Sequence, residues 1–178
     1  DFAHNRDVYV NALTHYLEAG FSYCELGDGD ELWETQKFDA IFQAHKDVYL
    51  LLKKFHDAKR LHMIWGNHDM VYKNPTYVKK NLSTYFDKET RGEVDLFPGI
   101  EYHESIRLEH KTTKQILFLT HWHQADWWNY IFWRWSRFLV RFLWKPLNLM
   151  GVSDPTSPAK NHKGLIKIEQ RAKKWISE

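Results

Sequence analysis

The chain has 178 residues, 43% hydrophobic and 27% charged, with 8 Gly and 5 Pro. That length suits one domain with a sizeable core, and the composition excludes a disordered, collagenous or low-complexity chain. A single cysteine excludes an internal disulfide framework and an all-cysteine zinc site. A net charge of +2 with neutral histidines is too balanced to predict nucleic-acid binding. Two enrichments stand out: 11 His, and an aromatic fraction of 16% that includes 9 Trp. The opening residues Asp1-Phe2-Ala3-His4 do not read as a signal or transit peptide, so the expected location is cytoplasmic, with peripheral contact at a membrane.

In chain order, Asn5 to Ala19 carries Val10, Leu13 and Leu17 at the spacing of a helix face, and Gly20 ends it. Phe21 to Leu26 reads as a short strand closed by Gly27. Phe38, Ile41, Phe42, Val48, Leu52 and Phe55 recur at helical period and predict one long amphipathic helix over Thr35–Asp57. Leu61 to Trp65 predicts a second strand ending at Gly66. Strand–helix–strand is the unit of a parallel sheet layered with helices. Ile100, Tyr102, Ile106 and Leu108, followed by Ile116 to Leu119, predict an antiparallel hairpin around a polar loop. An aromatic and basic segment runs from Asp126 to Met150, a Pro/Ser break follows at Ser153–Pro158, and Lys163–Ile176 predicts a last helix. The expected division is a core over 1–126 and a helical cap or insertion over 127–178 within the same domain.

Three predicted strands run directly into polar residues able to bind metal. The first enters Gly27-Asp28-Gly29-Asp30-Glu31, the second Gly66-Asn67-His68-Asp69, the third Thr120-His121-Trp122-His123. Ligands of layered α/β folds bind beyond the carboxyl ends of strands, so these loops are expected to meet on one face. Carboxylate, amide oxygen and imidazole are suitable ligands for Zn, Mn or Fe. Taken singly, Asp28 and Asp30 fit a turn, Asn67 to Asp69 fit a helix cap, and His121 with His123 fit an incidental pair. Three such loops at successive strand ends argue for a site.

These segments resemble the middle motifs of the calcineurin-like metallophosphoesterases, in order and in strand-to-loop context, over roughly Phe21 to Asp126. The resemblance implies a layered α/β sandwich of two mixed sheets flanked by helices. It also implies a pair of divalent metal ions (Mn, Fe or Zn), with Asp28 bridging them and Asn67 and His121 as ligands of the second. His68 would stand by the leaving group, with Asp69 orienting it; Glu31 and His123 would support the ligands from behind. Two metals hold a phosphate oxygen and a hydroxide together and neutralise developing charge, while His68 would supply a proton to the leaving oxygen. The family's opening Asp-x-His and closing Gly-His-x-His do not occur, and Trp122 stands where the family commonly has Gly. The expected explanation is truncation at both ends, leaving part of the bimetal site and a weak or inactive fragment.

The segment Trp127–Trp144 crowds aromatic residues around Arg134, Arg137 and Arg141, with Lys145 continuing the same three-and-four spacing. Charges at that density exclude a membrane span. They fit a helix in a membrane interface, a cap over a lipid-like substrate, or ordinary packing on the rest of the domain; the UDP-diacylglucosamine hydrolase branch of the family also inserts a helical cap here. The expected function is hydrolysis of a phosphoester or pyrophosphate in a phosphate-containing small molecule or lipid-linked substrate. The alternative is a non-catalytic membrane-interface or partner-binding module on a degenerate phosphoesterase scaffold.

Overall fold

Two short apolar runs, β1 (Tyr23–Leu26) and β2 (Leu61–Ile64), lie side by side as parallel strands in register Tyr23↔Leu61 to Leu26↔Ile64. They belong to a computed structural model of the chain that describes residues 5–32 and 37–121, and single positions 135, 138, 142, 166, 170 and 173. The molecule is mixed α/β, with helices and several small sheets.

Helix α1 (Arg6–Glu18) precedes β1 and ends at Ala19, beyond which Gly20 takes φ +82°. Between β1 and β2 come α2 (Phe38–Ala44) and α3 (Lys46–Asp57). The single helix expected over Thr35–Asp57 is therefore two. His45, at φ −131° and ψ 34°, breaks it. The apolar stripe continues on both sides of the break, so periodicity alone does not reveal it. Phe38 and Phe42 from α2 meet Tyr49 of α3 at ring separations of 5.2 and 5.7 Å. The stripe of α3, Val48, Leu51, Leu52 and Phe55, is buried in the main core with Leu13 of α1.

After β2 the chain forms a 3₁₀ turn (Met70–Lys73) and helix α4 (Pro75–Leu82). Pro75 opens α4, and the Asn74 side chain caps it by accepting from the Thr76 amide at 3.0 Å. An antiparallel hairpin of β3 (Thr84–Asp87) and β4 (Gly92–Asp95) follows. The apolar alternation over Ile100–Leu108, interrupted by polar Glu104, falls into two strands. Before Glu104, β5 (Tyr102–His103) joins the first sheet parallel to β2; after it, β6 (Ser105–Glu109) pairs antiparallel with β7 (Ile116–Thr120). The first sheet thus has the order β1-β2-β5.

Candidate functional site

The site begins with two glycines where β1 and β2 leave the sheet. Gly27 has φ +93°, and a Cβ there would lie 2.9 Å from both the Gly66 Cα and the His121 Cδ2. A Cβ on Gly66 would lie 2.6 Å from the Asp28 nitrogen. Both positions exclude a side chain because the two loops pass against each other. Asp28 itself has φ +57°, a left-handed conformation uncommon for a residue with a Cβ.

This close passage brings the three strand ends together. Asp28 Oδ2 lies 3.0 Å from His121 Nε2, just past β7. Its other oxygen, Oδ1, accepts from the His68 backbone N–H at 2.8 Å. Burial works to raise the Asp28 pKa, but the His121 bond and charge and the His68 amide outweigh it, so the carboxylate stays ionised below its ordinary range. The ring of His68 is held from the other loop: its Nδ1 is 2.5 Å from Glu31 Oε2. Burial would lower the His68 pKa; the bond to Glu31 and the charges of Glu31 and Asp28 prevail and raise it.

Asp69, expected to orient His68, has a different observed contact. It is 2% exposed, and its Oδ1 accepts from the Gly66 N–H at 2.5 Å, while the Asp30 backbone donates to it as well. Asp69 thus ties the loop after β2 to the loop after β1, and Glu31 is the side chain that meets the imidazole.

Behind the loops lies an acidic layer whose partners the sequence does not reveal. The Asp30 carboxylate accepts hydrogen bonds from the hydroxyls of Tyr49 on α3 and Tyr72 in the 3₁₀ turn. Burial pushes the pKa values of Asp30, Asp69 and Glu25 upward. These three residues, with Tyr49 and Tyr102, line a cavity of about 30 Å³, room for one water. Asp-Gly-Asp reads as a turn in sequence; nothing there signals that two tyrosines distant along the chain fix its second carboxylate.

Asp28 and His121 are spaced as two neighbouring donors to one divalent cation would be. The 3.0 Å between the Asp28 oxygen and the His121 nitrogen is close to the roughly 3.0–3.4 Å separating neighbouring ligands that each sit about 2.1 Å from one ion. Asn67 follows Gly66 on the neighbouring loop. Among the described residues no group of three or more His, Cys, Asp or Glu is placed to hold a metal ion. His123, Arg134, Arg137 and Arg141 lie outside the described residues.

Comparison with protein-family models, with curated proteins and with solved structures finds no match to this chain.

Proposed function

We propose that the protein is a metal-dependent hydrolase of phosphoester or pyrophosphate bonds. The observation that carries the reading is the convergence of three strand ends on Asp28, which meets His121 through one carboxylate oxygen and the His68 amide through the other. Asp28, Asn67 and His121 would hold a divalent ion. A second ion would share Asp28 and take its remaining ligands from outside the described residues. When bound, such ions polarise a phosphate oxygen and make water a nucleophile near neutral pH.

The chain's own residues supply the rest. Asp28 stays ionised, so it presents full negative charge where cation ligands meet. Glu31 holds Nδ1 of His68 and favours the protonated ring, which would donate a proton to the departing oxygen. Asp69 and Asp30 hold the two loops at fixed spacing. The accompanying architecture is a two-sheet sandwich with residues 127–178 as its cap, in a cytoplasmic protein acting on a phosphate-bearing, amphiphilic or lipid-linked substrate. Calorimetric titration with Mn²⁺ tests the metal role. Asp28→Asn and His121→Ala should each weaken binding at least as much as the roughly 10–100-fold that loss of an outer-sphere partner costs. Unchanged Mn²⁺ affinity in both variants would overturn it.

A further inference from the structure

Trp135, Phe138 and Phe142 are 67%, 52% and 61% exposed. They nevertheless touch one another. Trp135 meets Phe138 edge-on at 6.3 Å between ring centroids, and Phe138 meets Phe142 at 4.8 Å. Trp135 and Phe138 are in α-helical and Phe142 in π-helical conformation. The steps of three and four put all three rings on one side of a helix. Three contiguous aromatic rings facing water form an apolar strip of the kind that marks an interaction surface.

The charge that accompanies this strip in sequence has one sign. Residues 127–150 contain Arg134, Arg137, Arg141 and Lys145 and no Asp or Glu, and an arginine immediately precedes each of the three rings. Against an overall charge of only +2, this is a strong local excess. Among the described residues no helix is long and apolar enough to cross a membrane. Aromatic side chains, Trp above all, favour the boundary between headgroups and acyl chains, and cationic side chains favour anionic headgroups.

We infer that the Trp135–Phe138–Phe142 face docks on an anionic lipid surface, with the rings at the headgroup boundary and the positive charge of the segment favouring anionic lipid. A single-stranded nucleic acid also uses arginine and aromatic rings, but its bases stack on free ring faces. Here the rings pack on one another, which favours a continuous apolar boundary. The inference stands whether or not the strand-end site hydrolyses phosphoesters.

The test is sedimentation of the full chain with vesicles of phosphatidylglycerol and phosphatidylcholine in equal parts, against phosphatidylcholine alone. Binding should require the anionic lipid and weaken as salt rises. Trp135→Ser, Phe138→Ser and Phe142→Ser together should reduce it at least tenfold, with circular dichroism unchanged because the three side chains are exposed, and Trp135→Phe should retain it. Arg137→Glu with Arg141→Glu should weaken it by about fivefold or more for each unit of charge changed. Equal binding to neutral vesicles, no vesicle binding, or wild-type binding by the triple serine variant would overturn the inference. So would tighter binding to an oligothymidylate probe than to anionic vesicles, which would assign the face to nucleic acid.

Discussion

Glu31 Oε2 lies 2.5 Å from His68 Nδ1, so the side chain of one strand-end loop fixes the ring carried by the next. The two side chains are 46% and 33% exposed, so the pair adds little to stability. Its consequence is orientation and charge: the imidazole keeps one nitrogen engaged and its proton affinity raised.

If His68 donates the proton, Glu31→Gln acts on turnover. The rate constant kcat should fall by about 10–100-fold, less than the roughly 100–10,000-fold that general acid catalysis contributes as a whole, while KM changes little. Glu31 raises the His68 pKa, so the alkaline limb of the pH–rate profile should move to lower pH in the variant. An unmoved profile would remove Glu31 from the chemistry.

The two strand-end glycines give a steric prediction. Gly66→Ala places a methyl group 2.6 Å from the Asp28 nitrogen, an overpacking that costs about 1–3 kcal/mol and displaces Asp28. Gly20→Ala is a control: nothing lies within 4 Å, though φ is +82°, so it should cost about 1–2 kcal/mol of backbone strain and leave the Mn²⁺ titration unchanged. Denaturant unfolding and Mn²⁺ calorimetry on both variants separate the two effects.

Much of this arrangement is legible in the sequence. The strands ending at Leu26, Ile64 and Thr120 follow from short apolar runs that stop at turn-forming or polar residues, and the meeting of the first two at Asp28 follows from strand–helix–strand order, whereas His121 arrives from a separate antiparallel pair. The break at His45 is not legible, because the stripe from Phe38 to Phe55 continues across it. Nor is the β3–β4 hairpin, where Thr84–Asp87 and Gly92–Asp95 are four residues each, mix apolar with charged side chains and have partly exposed faces. That Asp69 meets the Gly66 amide while Glu31 meets the His68 ring depends on side-chain direction, which spacing in Gly-Asn-His-Asp does not encode.

Tyr72→Phe removes a hydroxyl from the buried Asp30 carboxylate. Losing a partner of a buried acceptor costs about 1–3 kcal/mol, to be read as a lowered midpoint in urea. Tyr49→Phe should behave alike, and the double variant should cost less than the sum, because Asp30 can then take up a proton. Neutral effects for both single variants would show that Asp30 is already protonated and needs neither hydroxyl.

The buried acids also set a pH dependence. Groups whose folded pKa is raised contribute stability that is full below the unfolded pKa and is lost as pH rises through the folded value. Glu25, Asp30 and Asp69, raised chiefly by burial, decline from about pH 4 upward, and His68, raised by Glu31 against its burial, declines from about pH 6.5. His56, lowered by burial, opposes this over its own titration, and Asp28, Asp47 and Asp87, held low, have contributed fully by about pH 5. With chelator present, the thermal midpoint should therefore be lower at about pH 8 than at about pH 5.5. A higher midpoint at the alkaline pH would contradict this balance.

The central claim is that Asp28 organises a metal-dependent phosphoester hydrolase, and hydrolysis of an aryl phosphate by wild type and Asp28→Asn in Mn²⁺ tests it most directly. The substitution keeps size and shape while removing the charge that faces His121 and the His68 amide. The account predicts slow, Mn²⁺-dependent turnover in wild type and a further loss of about 100-fold or more in the variant, a barrier increase of about 2.7 kcal/mol or more, with the circular dichroism spectrum unchanged. Metal-independent turnover, or a variant as fast as wild type at equal metal occupancy, would contradict it.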